Sequence, residues 1–288
     1  MGKKLSVIIV TYNSSQLINN CLDSIYKYND IGGDLEVIIV DNNSQDQENL
    51  FVNLQLNYPE DIKLIRNPKN GGYGCGNNLG VSHSTADYFI FMNPDIQILN
   101  PVFKKLISAF EQNINLGMMG VTFADKSNSF YFKPEYFSVF KALILKIHLH
   151  FALFNSQQMY LSGSFLMFEK DAFAESGGFD ENIFLFYEEA DISNRIQSIG
   201  KQIELAKDIE VFHLTHNRPF NIKLADIERD SLEYYLNKYK ISPKKIFKTH
   251  LLIFKFKFFI ANLLNNQSKK QIFKGWIDLI GERLIKFD

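Results

Sequence analysis

Three acidic side chains lie close together in the segment Tyr187-Glu188-Glu189-Ala190-Asp191. The apolar spacing that follows predicts a helix, in which Glu188 and Asp191 share a face while Glu189 projects about 100° away. A carboxylate that faces a cleft can act as a general base. Its neighbours can stabilise the positive end of the helix. The cluster therefore predicts a catalytic carboxylate at the start of a helix.

The elements that must position this cluster follow from the apolar pattern. In the first half of the chain, apolar runs of strand length alternate with amphipathic runs of helix length, which is typical of an α/β protein with a mostly parallel central sheet flanked by helices. Predicted strands are Leu5 to Val10, Leu35 to Val40, Ile62 to Ile65, Tyr88 to Met92 and Met118 to Thr122. Predicted helices are Gln16 to Tyr28, Gln47 to Asn57, Gly74 to Ser82 and Pro101 to Glu111.

Polar residues follow four of these predicted strands directly. Ligands of such sheets bind outside the carboxyl ends of the strands. Each of the four polar groups could by itself be a helix cap or an ordinary turn. The position of all four groups at one sheet edge, however, predicts a shared binding site. The groups are Thr11-Tyr12-Asn13, Asp41-Asn42-Asn43-Ser44, Asn67 to Gly72, and Asn93-Pro94-Asp95.

The glycine-rich segment from Asn70 to Asn78 is not a phosphate loop of a known type. No Gly-Lys-Ser/Thr follows it, which excludes a P-loop. It follows the third predicted strand, whereas the dinucleotide fingerprint follows the first. Its glycines instead predict a close approach of the backbone to a ligand or to another element.

These motifs, in this order, resemble those of a family 2 glycosyltransferase with the glycosyltransferase A fold, over roughly residues 4 to 216. The Asn-Pro-Asp motif is similar to that of the rhamnosyltransferase-like branch, whose members build bacterial surface polysaccharides. The matching residues are Ser6 to Asn13, Val40 to Ser44, Asn70, Gly72, Gly76, Asn78, Gly80, Asn93-Pro94-Asp95, Gly163, Gly177 to Asp180, and Glu188 to Asp191.

The resemblance implies that the donor is a nucleotide-diphosphate sugar, specifically a UDP- or dTDP-sugar. Asp41 is then expected to hydrogen-bond the uracil or thymine ring, and Tyr12 to flank it. The implied nucleotide-sugar-binding residues are Thr11, Tyr12, Asn13, Asp41, Asn70, Gly72, Asn78, Asn93 and Asp95.

The resemblance also implies a divalent cation, Mn²⁺ or Mg²⁺, that bridges the two donor phosphates. Asp95 stands where the last aspartate of the family's Asp-any-Asp motif binds the cation, and carboxylate oxygen is a ligand suited to these metals. Asn93 replaces the first aspartate, which removes one negative charge. His213 matches a histidine that completes the metal or diphosphate site in some relatives. His216 is the alternative ligand, and Arg218 could neutralise the diphosphate.

For catalysis, Glu189 stands at the aspartate of the family's Glu-Asp pair. A base there, on the face opposite the leaving diphosphate, would deprotonate the acceptor hydroxyl and invert the anomeric carbon by direct displacement. Glu188 and Asp191 are the alternative catalytic residues, or they orient the acceptor. The expected acceptor is a saccharide or a lipid-linked acceptor.

Charge is distributed unevenly along the 288 residues. The net charge is −1, but residues 240 to 288 hold eleven Lys and Arg against three Asp and Glu, which gives +8 there and leaves −9 for the rest. The apolar stretch from Leu251 to Leu264 contains two lysines and is shorter than the roughly 20 residues of a spanning helix. A helix that lies on the cytoplasmic membrane surface fits this pattern. A helical hairpin packed on the body is the alternative.

The predicted organisation is a catalytic domain over residues 1 to 220 and a basic amphipathic helical tail over residues 221 to 288. Cys21 and Cys75 form no disulfide framework and predict plain packing in a reducing compartment. The apolar run after Met1 is too short for a signal peptide, so we expect a cytoplasmic protein, peripheral on the inner face of the membrane. Without a nucleic-acid-binding module, no nucleic acid partner is expected. The sequence leaves a monomer and a homodimer open.

Two further functions are weighed against a transferase. A catalytically inactive nucleotide-sugar-binding protein would be expected to lose Asp95 or the acids after Tyr187, and both are present. A nucleotidyltransferase would carry a glycine-rich, basic loop after the first strand, where this chain has Thr11-Tyr12-Asn13-Ser14. The aromatic segment from Phe130 to Phe154 is either core or an acceptor-side insertion that touches a lipid-linked acceptor.

Overall fold

The computed structural model describes residues 4–58, 62–214 and 221–287. The strands are β1 Leu5–Thr11, β2 Leu35–Asp41, β3 Ile62–Arg66, β4 Tyr88–Met92, β5 Ile96–Ile98, β6 Leu116–Phe123, β7 Phe130–Phe132, β8 Met159–Leu161, β9 Phe165–Glu169 and β10 Gln202–His213. The helices are α1 Ser15–Lys27, α2 Gln47–Asn57, α3 Gly72–Ser82, α4 Phe103–Gln112, α5 Val139–His150, α6 Lys170–Glu175, α7 Glu188–Ser198, α8 Ile222–Lys238, α9 Pro243–Leu263 and α10 Gln267–Ile285.

The central sheet has eight strands in the order β3-β2-β1-β4-β9-β6-β10-β5. Strands β3, β2, β1 and β4 are parallel, as are β6 and β10. Strand β9 lies antiparallel between β4 and β6, and β5 lies antiparallel to β10. The predicted α/β class and mostly parallel sheet are confirmed. The predicted strand list, however, contained none of the antiparallel strands.

Both faces of the sheet are buried, because alternate residues of each strand point to opposite sides. Val7 and Ile9 of β1 pack with Ile18 and Leu22 of α1 on one face. Ile8, between them, belongs to the core of the opposite face, which includes residues of α6 and α7. Cys21 is fully buried in the first core, and both cysteines are free.

Parallel register brings the ends of the first strands together. Thr11 is paired with Asp41 at the ends of β1 and β2, and Asp41 with Arg66 at the end of β3. The polar groups that follow β1 and β2 therefore meet at one edge, as the alternating pattern predicted.

The three C-terminal helices pack on the body of the protein. Leu232, Tyr235 and Leu236 of α8 share an apolar core with Ala190 of α7, and α9 and α10 contribute Phe247 and Ile280 to the same core. The tail therefore forms the packed helical arrangement that the sequence left as an alternative to a surface helix. The predicted boundary at residue 220 stays a prediction. Within the described residues, no helix has the length and hydropathy needed to cross a bilayer.

Candidate functional site

Asp41 is fully buried at the end of β2 and accepts hydrogen bonds on both carboxylate oxygens. Its Oδ2 accepts from Thr11 Oγ1 at 3.0 Å and from Ser44 Oγ at 2.6 Å. Its Oδ1 accepts from the Ser44 backbone N–H at 2.9 Å and from the Gln47 amide at 2.6 Å. A buried carboxylate needs such donors, and the Gln47 amide is the donor that another N–H group could replace most easily, because it ends a flexible side chain.

The turn after β1 is built around Asn13, which has a left-handed backbone with φ of 50°. Its N–H donates to Ser44 Oγ at 2.8 Å, and its side-chain oxygen accepts from the Gln45 N–H at 3.0 Å. This pairing fixes the loop after β1 against the loop after β2. Tyr12 is 50% exposed and follows Thr11, the residue that donates to Asp41.

The glycine-rich segment approaches another part of the chain very closely. A Cβ on Gly72, whose φ is +87°, would lie 2.0 Å from the carbonyl oxygen of Phe184, and the Tyr73 N–H donates to that oxygen. Asn78 exchanges two hydrogen bonds with the Phe179 backbone. Asn70 accepts from the Gly72 N–H. These three predicted nucleotide-sugar residues thus contact their own loop or the segment that leads into α7.

Asp95, which follows β4, lies beside His213, the last residue of β10. Their Oδ1 and Nε2 atoms are 3.5 Å apart. The other ring nitrogen of His213 lies 3.2 Å from Ser127 Oγ, which donates to Asp125. Asn93 is 3.4 Å from Ser164 Oγ. His216 and Arg218 lie outside the described residues.

The pair of Asp95 and His213 was tested as a cation site. Among the described residues, no three His, Cys, Asp or Glu side chains form a group able to hold a metal ion. One carboxylate and one imidazole nevertheless suit Mn²⁺, and they fit an ion whose remaining ligands are diphosphate oxygens and water. The protein alone offers an incomplete site, and a bound donor would complete it.

Glu188 and Glu189 line a cavity of about 560 Å³, and Asn93 lines it as well. The Glu189 carboxylate accepts from the Gly163 N–H at 3.0 Å, and the Tyr73 hydroxyl donates to the Gly163 carbonyl at 2.7 Å. Burial raises the pKa of Glu189 to about 7. A carboxyl with such a pKa is suited to proton transfer near neutral pH.

Glu188 is only 2% exposed, and its Oε2 has no hydrogen-bond partner among the described residues. Burial raises its pKa well above the ordinary value, and the charge of Glu189 raises it further. The two side chains enter the cavity from an unusual backbone, because Phe186 and Tyr187 have φ values of 72° and 68°. Left-handed, non-glycine residues of this kind are concentrated at functional sites.

Asp191 has different surroundings, although it belongs to the same acidic cluster. It is fully buried and forms ion pairs with Arg195 at 2.7 Å and Lys238 at 2.6 Å. The Tyr239 hydroxyl donates to it at 2.9 Å. It does not line the cavity. Its partners place it in a contact between α7 and α8.

Comparison with known proteins identifies the family and the fold. The model of glycosyl transferase family 2 matches residues 6–177. The chain belongs to this family. One relative is dTDP-rhamnosyl transferase RfbF of Shigella flexneri, which is 28% identical over 77% of this chain and 73% of that protein. Another is the low-salt glycan biosynthesis hexosyltransferase Agl10 of Haloferax volcanii, which is 26% identical over 73% of this chain and 66% of that protein.

Among solved structures, the glycosyltransferase resembles the mannosyltransferase PcManGT of Pyrobaculum calidifontis, solved in complex with GDP-Man and Mn²⁺. The TM-score is 0.66 at 13% identity, and the alignment covers 99% of this chain and 88% of that one. This similarity confirms the predicted glycosyltransferase A fold.

Several residues of the glycosyltransferase cavity were not predicted from the sequence. Ser164 follows the predicted Gly163, and Tyr160 comes from β8. Tyr131 of β7, by contrast, lies in the aromatic segment from Phe130 to Phe154 that the sequence offered as core or as an acceptor-side insertion. Glu228 of α8 also lines the cavity, and burial raises its pKa to about 7. Glu228 stands in a charged turn with Asp226, Arg229 and Asp230, so nothing in the local sequence distinguishes it from a surface residue.

The first prediction concerns Gly163. A Cβ at this position would lie 2.2 Å from Glu189 Oε1, so Gly163→Ala should displace the carboxylate and leave the fold intact, because a flexible side chain can move away. We expect sugar transfer to fall about a hundredfold, the typical effect of a misplaced catalytic group, with unchanged nucleoside diphosphate affinity by calorimetry. Gly281→Ala, with open space around it, is the control. Full activity of Gly163→Ala would contradict the assigned geometry.

The second prediction concerns Glu188. Its pKa is raised in the folded state, so the unfolded chain loses this proton first and folding stability falls as the pH rises above about 4. Glu188→Gln has no proton to lose at this position, so its folding stability should not show this fall with rising pH. Its melting temperature should exceed that of the parent by about 3 °C or more near pH 8, and by less near pH 5. Exposed Glu175, changed to Gln, is the control, and a pH-independent difference would refute the explanation.

Proposed function

We propose that the protein is an inverting glycosyltransferase that moves a sugar from a UDP- or dTDP-sugar to a hydroxyl of a saccharide or lipid-linked acceptor. The observation that carries the proposal is the Glu189 carboxylate, held by the Gly163 N–H inside a cavity and with a pKa raised to about 7. Bacterial surface polysaccharide synthesis is the process we infer, on the strength of the similarity to a dTDP-rhamnosyl transferase.

The chemistry follows from this carboxylate. Glu189 takes the proton from the acceptor hydroxyl as its oxygen forms a bond to the anomeric carbon. The bond from that carbon to the diphosphate oxygen breaks on the opposite face, and the nucleoside diphosphate leaves with the electron pair. A positioned base of this kind contributes roughly a hundredfold to ten-thousandfold in rate. Attack and departure on opposite faces invert the configuration.

Recognition of the donor base is assigned to the edge that holds Asp41. The N3–H of uracil or thymine is a hydrogen-bond donor, as is the Gln47 amide that now donates to Asp41 Oδ1. A pyrimidine ring can take over that hydrogen bond while Tyr12 covers its face. The buried carboxylate then keeps its full set of donors, so the exchange avoids the cost of an unpaired buried group.

Asp95 and His213 would hold a Mn²⁺ or Mg²⁺ ion. When bound, such an ion would supply positive charge against the negative charge that develops on the leaving diphosphate. With Asn93 in place of a second carboxylate, Asp95 is the one carboxylate of this pair. Strong metal binding is therefore expected only with the donor present.

A donor panel tests the proposal. The intact protein and the variants Asp95→Asn and Glu189→Gln are each given UDP- and dTDP-sugars, with and without Mn²⁺. A mixture of saccharides serves as the acceptor, and the release of nucleoside diphosphate is measured. We expect turnover with one donor, at least a hundredfold loss in Glu189→Gln with retained donor binding, and weaker diphosphate binding in Asp95→Asn. Because the base must be ionised, turnover should also fall roughly tenfold per pH unit below about 7.

Glu175→Gln is the control and should behave as the parent. Donor binding without turnover under every condition, and with no effect of Glu189→Gln, would favour a nucleotide-sugar-binding protein with the same fold.

We also propose that the protein binds an anionic membrane surface. Helices α5 and α9 contain no acidic residue and hold seven lysines, Lys141, Lys146, Lys244, Lys245, Lys248, Lys255 and Lys257. They also expose large apolar side chains, among them Phe140, Leu143, Ile147, Leu252, Phe256, Phe259 and Leu263. Apolar residues flanked only by positive charges fit a bilayer with anionic headgroups.

Cosedimentation with vesicles tests the membrane proposal. The protein should bind phosphatidylglycerol vesicles and not phosphatidylcholine vesicles, and high salt should weaken binding because it screens the lysines. Phe256→Glu with Phe259→Glu should abolish binding. Leu56→Glu, at an exposed leucine of α2, should not. Equal binding to both vesicle types, or none to either, would count against the proposal.

A further inference from the structure

One lysine of helix α8 joins the two ends of the segment that carries the proposed base. The Lys238 ammonium lies 2.6 Å from the carboxylate of Asp180 and 2.6 Å from the carboxylate of Asp191. Asp191 belongs to the first turn of α7, and Glu189 stands between the two aspartates in the sequence. The Lys238 bridge, as we call these two ion pairs, therefore closes residues 180 to 191 into a loop around the base.

Two hydrogen bonds hold the same segment to α8. Ser231 Oγ donates to the Leu185 carbonyl at 2.7 Å, and the Tyr234 hydroxyl donates to Asp180 at 3.1 Å. Ser231, Tyr234 and Lys238 are separated by three and four residues, so they share one face of the helix. This face contacts the segment at its beginning, near its middle and at its end.

The backbone of the segment depends on contacts of this kind. Phe186 and Tyr187 both have left-handed φ values, of 72° and 68°. Residues in this conformation persist where the surrounding structure holds them firmly. The Phe184 carbonyl accepts from the Tyr73 N–H of α3 at 3.0 Å, and α8 adds the contacts described above. The segment is thus fastened both to the donor half of the protein and to a C-terminal helix.

The Lys238 bridge differs from an ordinary surface ion pair. The Asp191 side chain is fully buried, that of Asp180 is 13% exposed and that of Lys238 is 29% exposed. Exposed ion pairs contribute little, whereas removal of one partner from a buried pair is strongly destabilising. Arg195 also pairs with Asp191, but Arg195 lies on α7 itself and so does not connect this helix to α8.

We propose that Lys238 is a positioning residue for Glu189. Lys238 does not line the cavity, so it acts through the segment that it closes. Without its ammonium the ends of the segment could separate, and the Glu189 carboxylate would leave its place against the Gly163 N–H. The inference rests on the proposed transferase function, because it concerns the base of the same site. It gives α8, which follows the residues matched by the family model, a part in the reaction.

Hydrogen exchange measured by mass spectrometry tests the Lys238 bridge without any substrate. Lys238→Met removes the charge and keeps an unbranched side chain. The amides of residues 180 to 191 should exchange at least about tenfold faster in this variant than in the parent, and Lys238→Arg should restore slow exchange. Lys223→Met, at an exposed lysine in the first turn of α8, is the control and should behave as the parent. Parent-like exchange in Lys238→Met would overturn the proposal.

A second variant serves if Lys238→Met does not fold. Asp180→Asn breaks one ion pair of the bridge and leaves the buried pair of Lys238 with Asp191 intact, so the amides of β1 and β2 should remain protected. Residues 180 to 191 should again exchange faster than in the parent. Unchanged exchange of this segment in Asp180→Asn would contradict the two-ended bridge.

A transfer assay connects the bridge to Glu189. In Lys238→Met, kcat should fall about tenfold to a hundredfold, as expected for a misplaced catalytic group, while the Kd for nucleoside diphosphate stays unchanged. Lys238→Arg should recover most of the rate. Because Lys238 acts through Glu189, Lys238→Met should cause no further loss of the residual transfer in a Glu189→Gln background. An equal loss in both backgrounds would indicate general damage and would reject the positioning role.

The two measurements separate this inference from the proposed function. If the parent protein transfers no sugar from any donor of the panel, the transferase function fails, and hydrogen exchange still decides whether Lys238 holds the segment. If the parent protein is active and Lys238→Met keeps its kcat, the transferase function stands and the role of Lys238 is rejected.

Discussion

The site depends on the close approach of helix α3 to the segment that precedes helix α7. Gly72 leaves no room for a side chain against the Phe184 carbonyl, and Asn78 holds the Phe179 backbone from the next turn of α3. Tyr73, between them, reaches the Gly163 carbonyl, and the Gly163 N–H holds Glu189. Helix α3, which follows β3 at the sheet edge that holds Asp41, thus fixes the predicted base. A shift in this contact would move Glu189 relative to that edge.

The three acids of the cluster differ because of their partners. Asp191 has Arg195 and Lys238 beside it, so its negative charge is compensated and it joins α7 to α8. Glu188 and Glu189 are buried without a cation, so burial favours the protonated form of both, and the charge of Glu189 favours protonated Glu188 further. Neighbouring positions on one helix therefore provide a structural anchor and a group with its pKa near 7.

Helices and strands whose sequence pattern is local could be predicted from the sequence alone. Strand β4 and helix α2 were predicted at their observed bounds, and the pairing of Thr11 with Asp41 follows from parallel register. Strand β9 was missed because its place between β4 and β6 depends on pairing partners remote in sequence. Glu228 and Lys257 were missed as cavity residues for a related reason, since only tertiary packing brings α8 and α9 to α7. The contacts of Asn78 with Phe179 are likewise long-range and have no local signal.

The residues expected to bind the donor and several of the residues that line the cavity come from different parts of the chain. The family match ends at residue 177 and includes the edge with Asp41 and Asp95, so family membership bears on the donor. Glu189, Glu228 and Lys257 come later in the chain, and helix α9 contributes one face to the cavity and another to the apolar, basic surface proposed to bind a membrane. Because both faces belong to one helix, the helical repeat fixes the cavity face of α9 relative to its apolar outer face. A rotation of α9 about its axis would therefore change the cavity wall and the apolar, basic surface together.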